Sequence, residues 1–321
     1  MYKGKQIGAV VPAYKEELQI SDVLTSMPDY MDHIIVIDDS SPSPDRTIEI
    51  VRKLITQDPR IVLIERSENG GVGKAIEDGY RKSVELGDEI ICVMAGDGQM
   101  DPEELPKLLT PIIEGRADYT KGNRYNLMSD WSVIPTVRKI GSMILSFLTR
   151  FATGYWTIGD SQNGYTAASQ ELVRAFLRRG LYPRYGVPND LLLTCALNEA
   201  RVMDIPMEPV YDVGEESKLR PSRVALPIAG LLIKGFGIRM YYRHTLLETT
   251  PVPFAYLMGF ISFISGLSWS AILLFRSIQV SVTTPEVVAS TLLFMGGAIV
   301  LLLAIVLDVL FSTKSPLSVN R

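Results

Sequence analysis

Residues 33–39 read His-Ile-Ile-Val-Ile-Asp-Asp, a β-branched run that stops abruptly at two acids. A continuous apolar run of this length, rather than an alternating one, marks a strand buried on both faces. The same form recurs on either side. Upstream, residues 7–11 (IGAVV) give a short strand signal that ends in PAYKEE. Downstream, residues 61–65 (IVLIE) and 90–94 (IICVM) repeat it, the latter ending at Gly96 and Asp97. Helical spacing fills the gaps over residues 17–27, 44–56 and 73–86, the last with Ile76, Tyr80 and Val84 on one face. Strands separated by helices predict an α/β domain, doubly wound around a mostly parallel sheet. Ligands of such sheets bind beyond the carboxyl ends of the strands. Tyr14 and Glu16, Asp38 and Asp39, and Asp97 and Gln99 are therefore expected to line one crevice.

The 321 residues are 47% hydrophobic and 21% charged, with a net charge of −4. Ample apolar content with so small a net charge excludes disorder as the main state. Nothing implies a strongly basic face, so nucleic acid is not an expected partner. Two cysteines, Cys92 and Cys195, and two histidines supply neither a disulfide framework nor a zinc site. The opening MYKGKQIGAVVPAY has too short an apolar run for a signal peptide.

Most of the excess hydrophobicity lies after Val224. Residues 254–275 and 287–307 carry no charge, and each run is long enough to cross a bilayer, for which about 20 apolar residues suffice. The short linker between them predicts a helical hairpin. Arg239 and Arg243 precede the first span and Lys314 and Arg321 follow the second, while the loop holds only Arg276. That asymmetry predicts both termini in the cytoplasm. Residues 224–242 are also apolar, but Lys234 and Arg239 would each cost roughly 2.5–3.5 kcal/mol near the centre of a span. One or two interfacial helices, with both cations snorkelling toward phosphates, are expected there. The predicted organisation is a soluble domain over 1–222, interfacial helices over 223–250, and a membrane hairpin with a short cytoplasmic tail over 251–321.

Three motifs carry candidate chemistry. Residues 68–75 (ENGGVGKA) fail as a phosphate loop, because Glu68 stands where glycine is required and Ala75 where serine or threonine is. A dinucleotide fingerprint fails at Ile76. The glycines fit a tight turn into a helix, with Lys74 near an anion. Residues 97–101 are not an EF-hand loop, since Pro102 occupies the glycine position. Yet an acid and an amide ending a buried strand offer hard oxygens suited to Mg²⁺ or Mn²⁺ bridging to phosphates. Helix capping before Pro102 is the structural alternative. For Asp38 and Asp39 the alternative is a turn or cap before Ser40.

Five stretches in order, VVPAYKEE, VIDDSSPSPDRT, GGVGKAIEDGY, MAGDGQMDPEELPKLL and KGNRY, resemble the successive signatures of family 2 glycosyltransferases with a GT-A fold. The resemblance is greatest to dolichyl- or polyprenyl-phosphate hexose synthases of the dolichol-phosphate mannose synthase kind. It covers roughly residues 5–220, through GDSQNGYTAAS (159–169) to GEESKL (214–219). It implies that Pro12, Tyr14, Glu16, Ile37 and Asp39 hold the base and ribose, with Lys74 and Gly96 also on the nucleotide-sugar side. Asp97 and Gln99 would hold Mg²⁺ or Mn²⁺, and Arg124 would face the diphosphate. Asp160 matches a family acid. Asp190 lies where related transferases carry a catalytic acid, although an anionic lipid phosphate hardly needs a general base. Ser217, Lys218 and Arg220 fall at the acceptor-phosphate position, with Arg223 close behind.

The chain departs from the family pattern at Ala95, where the first of two acids is usual, and at Asp212 and Gly214, where arginines are frequent. The implied activity is inverting transfer of a hexose from a UDP- or GDP-sugar to a polyprenyl or dolichyl phosphate at the cytoplasmic membrane face. Transfer to another lipid or glycan is one alternative. A non-catalytic membrane-bound nucleotide-sugar-binding protein, motivated by Ala95, is the other. A processive synthase is disfavoured, because Trp131, Trp156 and Trp269 do not form the Gln-x-x-Arg-Trp segment typical of that class.

Overall fold

The computed structural model describes residues 1–125, 136–208 and 221–312. It divides into two compact units, Met1–Gly235 and Phe236–Lys314. The first unit carries strands β1 (Ile7–Ala13), β2 (His33–Asp38), β3 (Ile61–Glu65), β4 (Ile90–Val93), β5 (Tyr119–Asn123), β6 (Thr166–Ser169) and β7 (Val202–Pro206). They form one sheet in the order β3-β2-β1-β4-β6-β5-β7. Its helices are α1 (Ile20–Thr25), α2 (Thr47–Ile55), α3 (Val72–Leu86), α4 (Leu105–Ile113), α5 (Thr136–Thr153), α6 (Gln170–Arg179) and α7 (Val187–Leu197).

Every residue of β1 is buried. Successive side chains of a strand point to opposite faces, and here both faces are covered. Ile7, Ala9 and Val11 join Val23, Leu24 and Leu108 in one apolar layer. Val10 joins Tyr80, Phe176 and Leu192 in the other. This double burial is why the strands read as unbroken apolar runs. The elements expected between residues 7 and 94 are all present, with ends that differ by a few residues.

The sheet is mostly parallel, but β6 runs antiparallel to both β4 and β5. Two reversals restore the direction, so β4 and β5 point the same way. The carboxyl ends of β1, β2, β4 and β5 therefore share one edge with the start of β6. Neither β5 nor β6 announces itself in sequence, because YTKGN and TAAS lack apolar runs.

Helix α8 (Pro221–Tyr241) crosses the boundary between the units, and α9 (Val252–Ser277) and α10 (Thr284–Ser312) follow a π-helical segment, Tyr242–Leu247. Helices α9 and α10 contain the two uncharged runs, and each is long and apolar enough to cross a bilayer. They pack closely on small residues, as membrane helices do. A Cβ at Gly266 would overlap the backbone of Phe294, and one at Gly297 that of Phe263. Ser262 Oγ adds a hydrogen bond to the Leu293 carbonyl at 2.9 Å.

Residues 224–241 lie in one helix, α8, which contains Pro227, and Tyr242 opens the π-helical segment. A single helix is one of the two arrangements expected, and the departure from expectation is at Arg239. Arg239, expected to snorkel, is instead 1% exposed. Its Nη1 and Nη2 each donate at 2.8 Å to the buried Asp308 carboxylate, which also accepts from Tyr256 Oη at 3.3 Å. Forked guanidinium–carboxylate pairing neutralises both charges where neither could stand alone. The partners lie 69 positions apart, so local sequence could not pair them. Lys234 is exposed.

Candidate active site

The shared sheet edge begins at β1 and β2. Pro12 sits opposite Ile37 and Ala13 opposite Asp38 in the parallel register. Beyond the ladder, Asp39 N donates to the Ala13 carbonyl at 2.9 Å and Gly96 N to that of Pro12 at 3.1 Å. Pro12, Ile37, Asp39 and Gly96 are thus brought together by the backbone itself. The loops that follow are strained: Lys15 and Ser40 have φ of +61° and +60°, a conformation that costs of order 1–3 kcal/mol for a residue with a side chain. Lys15 N donates to Ser41 Oγ and Glu16 N to Thr47 Oγ1, both at 2.9 Å. Glu16 is buried, and Lys15 Nζ lies 5.5 Å from the centre of the Tyr14 ring.

The paired acids divide their labour. Asp38 is buried and accepts from Ser41 N at 2.8 Å and Ser41 Oγ at 2.6 Å, the turn role expected of one of them. Asp39 reaches away, accepting from Gly70 N at 2.9 Å and Gly71 N at 2.7 Å. It also lies 3.1 Å from Arg66 Nε, a partner for which the sequence offered no signal beyond charge. Asp39 therefore pins the turn into α3. The glycines serve close approach there: Gly71 has φ of +87°, and Gly73 N donates to the Pro183 carbonyl at 2.9 Å. A Cβ at Gly73 would overlap the Tyr182 carbonyl oxygen. Lys74 bonds Glu77 of its own helix at 2.8 Å.

After β4 comes the turn carrying Asp97 and Gln99. Asp97 Oδ1 accepts from Gln99 N at 3.0 Å, with Gly98 at φ +73°. Two contacts fasten this loop: Ala95 N donates to Met100 Sδ at 3.2 Å, and Tyr165 Oη donates to the Asp101 carbonyl at 2.7 Å. The cap ahead of Pro102 falls to Asp101, which accepts from Glu103 N at 2.9 Å. Among the described residues no three His, Cys, Asp or Glu side chains cluster as a cage. Asp97 and Gln99 offer hard oxygens from two side chains only. Such an open set fits an ion that keeps most of its sphere for phosphate and water, as Mg²⁺ does.

Arg124 follows β5 directly. Its Nε and Nη2 donate to Asp160 at 2.7 and 3.2 Å. Asp160 is fully buried, whereas the Arg124 side chain is 31% exposed and keeps a face toward solvent. Two residues named from separate motifs thus form one ion pair. Asp204 on β7 supports it from behind, accepting from Gly159 N at 2.9 Å and from Asn123 Nδ2, the residues just before each partner. Burial raises the Asp204 carboxyl pKa. Lys121 is wholly buried and donates to the Asn163 carbonyl. Burial pushes its ammonium down to about 8, against the pull of Asp160 and Asp204. Sequence reasoning assigned no role to Asp204 or Lys121, although a lysine inside KGNRY on a buried strand was the available signal. The ends of β4 and β5 stand two strand spacings apart, about 10 Å, with β6 between them.

Asp190, on α7, accepts from Arg179 Nη1 at 2.6 Å and from Tyr182 N at 2.9 Å. Its Oδ2 thus holds the segment that meets Gly73, while Oδ1 holds the end of α6. The acceptor residues named from sequence, Ser217, Lys218 and Arg220, lie outside the described residues, as does the side chain of Arg223.

A family model described as glycosyl transferase family 2 matches residues 9–177, from β1 through α6. The chain belongs to glycosyl transferase family 2. Similar proteins include the UDP-N-acetylglucosamine–dolichyl-phosphate N-acetylglucosaminyltransferase of Methanococcus voltae. It is 28% identical over 257 residues, covering 76% of this glycosyltransferase and 96% of the relative. The undecaprenyl-phosphate mannosyltransferase of Micrococcus luteus is 27% identical over 236 residues, covering 72% and 94% respectively. Among solved structures, the glucosyl-3-phosphoglycerate synthase of Mycobacterium tuberculosis, in complex with Mn²⁺, uridine diphosphate and glucosyl-3-phosphoglycerate, matches 74% of this glycosyltransferase and 80% of that chain. The TM-score is 0.52 at 19% identity. That likeness concerns the fold, and it agrees with the expected GT-A architecture of the first unit.

Proposed function

We propose that this glycosyltransferase moves a hexose, with inversion, from a UDP- or GDP-linked donor to the phosphate of a polyprenol or dolichol at the cytoplasmic membrane face. The observation that carries the proposal is the match to 96% of the length of a relative named for a dolichyl-phosphate acceptor, in a chain with two candidate spans. Pro12, Tyr14, Glu16, Ile37, Asp39 and Gly96 receive the base and ribose, with Lys74 nearby on α3. Arg124, oriented by Asp160, takes diphosphate oxygens with its two-pronged guanidinium. Asp97 and Gln99 would hold Mg²⁺ or Mn²⁺, whose positive charge would stabilise the departing diphosphate.

An acceptor phosphate oxygen attacks the anomeric carbon from the side opposite the nucleotide. The new carbon–oxygen bond forms as the bond to the nucleoside diphosphate breaks. The attacking phosphate is already an anion, so no proton has to be removed. Asp190 accordingly acts as a positioning residue for the Tyr182 segment rather than as a base. Ser217, Lys218 and Arg220 receive the acceptor phosphate, and anchoring by the spans raises its local concentration.

The test presents a panel of radiolabelled UDP- and GDP-sugars to the full-length protein in vesicles containing polyprenyl phosphate. Label in the organic extract, released by mild acid, supports the proposal. Label on glycan or another lipid overturns the acceptor assignment. Donor binding with no transfer from any sugar, the outcome that Ala95 motivates, overturns the catalytic one.

A further inference from the structure

Helix α7 opens with Val-Pro-Asn-Asp (187–190), and after these residues its buried side chains are apolar apart from Thr194. Asn189 is nevertheless 0% exposed. An amide buried without partners is costly, and an apolar side chain makes no such demand. The partners of Asn189 are present, and they come from two other parts of the first unit. Its Nδ2 donates to Thr149 Oγ1 of α5 at 2.6 Å, and its Oδ1 accepts from Gln162 Nε2 at 3.2 Å.

Gln162 belongs to the loop that carries Asp160. The ends of this loop are pinned by Gly159 N, which donates to Asp204, and by Asn163 Nδ2, which donates to the Gly122 carbonyl at 3.0 Å. Its middle rests on α5 and α7. Ser161 and Ser146 share a hydroxyl–hydroxyl hydrogen bond at 3.2 Å, and Gln162 Nε2 also donates to Ser161 Oγ at 2.7 Å. Ser146, Thr149 and Ser161 are all buried. Gln162 N donates to Asp160 Oδ1 at 3.3 Å, the same oxygen that takes Arg124 Nη2. An unbroken path thus runs from Asn189 through Gln162 to the carboxylate that aims Arg124.

Asp190, the next residue of α7, reaches the other way. It holds Tyr182 N, and the neighbouring Pro183 carbonyl accepts from Gly73 N, beside the Gly70–Gly71 turn that Asp39 pins. Two consecutive side chains of one helix therefore reach toward Arg124 and toward Asp39.

We propose that Asn189 is a positioning residue for Arg124, and that with Asp190 it makes the first turn of α7 a joint fixing the two halves of the donor site relative to each other. The proposal rests on the donor role given to Arg124 and Asp39 above. Asn189 acts through Gln162 and Asp160 and needs no contact with the donor. What its network supplies is direction: a fully satisfied buried polar network rigidifies one arrangement of its members. Here that arrangement is the seat of the Asp160 loop.

The test is a double-mutant cycle in the full-length protein. Asn189→Ala, Asp160→Asn and the double variant are compared by calorimetric titration with UDP and with GDP, each with Mn²⁺, and by turnover of radiolabelled sugar. Residues of one network couple, whereas independent residues add. In the wild-type background Asn189→Ala is expected to weaken nucleotide binding and to lower kcat, each by about tenfold; in the Asp160→Asn background, where Arg124 is already released, the further loss should be less than about twofold. An equal loss in both backgrounds would leave Asn189 a packing role alone and overturn the proposal, as would no loss in either. Gln162→Met, at a half-buried position, breaks the same path and runs through the same cycle if Asn189→Ala does not fold. A wild-type protein that binds a nucleotide but transfers no sugar would refute the transferase reading, with the coupling then decided by affinity alone. A wild type that binds neither nucleotide would overturn both.

Discussion

Asp160→Asn isolates the pair that holds Arg124. The substitution keeps the size of the side chain but removes its charge and turns an amide toward the guanidinium donors. Two charge-assisted hydrogen bonds, at 2.7 and 3.2 Å, are lost or weakened. Such bonds contribute about 1.5–3 kcal/mol each, but Arg124 is 31% exposed and recovers part of this by hydration. The expected loss of stability is therefore about 1–3 kcal/mol, less than the sum of the two bonds. Catalysis should suffer more. A guanidinium released from its partner moves by an ångström or more, and a misplacement of that size costs about 100-fold in rate. The proposed role lies in leaving-group stabilisation, so kcat and kcat/KM for the donor should fall together. Steady-state transfer of radiolabelled sugar, nucleotide affinity by calorimetry and thermal unfolding in detergent measure the three effects separately. Arg124→Lys, which keeps the charge but not the fork, should resemble Asp160→Asn in rate while leaving stability closer to wild type. A folded Asp160→Asn protein with wild-type turnover would refute an orienting role for the pair.

Asp97→Ala should abolish transfer and the tightening of nucleotide binding by Mn²⁺ without lowering the unfolding temperature, and Ala95→Asp should reduce the Mn²⁺ concentration needed for half-maximal rate; titrations of both variants check this. Lys121 titrates at about 8 in the folded protein against 10.5 as its ordinary value, so the unfolded chain binds more protons between those limits. The cost of burying its charge is full below pH 8 and gone above pH 10.5, a gain of about 3 kcal/mol at most as pH rises. Lys121→Met should lack this gain, and parallel denaturation curves for both proteins at pH 7.5 and 10 would contradict it. Gly73→Ala should lower stability by about 1–3 kcal/mol through overpacking against Tyr182, read as a lower thermal midpoint. A cysteine at Ser281 should react with an impermeant reagent from outside intact cells, and protection there would reverse the proposed orientation.

Local patterns are legible in the sequence. The runs at residues 7–11, 33–37, 61–65 and 90–94 carried the strands, because burial on both faces imposes a continuous apolar signature, and the uncharged stretches carried the two long apolar helices that are candidate spans. The order of five short motifs carried the family, since spacing along a chain needs no folding to be counted. What the sequence could not hold was set by contacts between distant segments. The reversal of β6 brings Asp160 against Arg124, 36 positions away, and Asp204 and Lys121 gain their parts only because β5, β6 and β7 lie side by side. Arg239 is buried because Asp308, 69 positions away, pairs with it. Helix α5 has an amphipathic pattern in sequence, but which of its faces looks inward is decided by Ser161 and Asn189. Periodicity records that two faces differ, and only packing against a particular neighbour decides which of them is the inside.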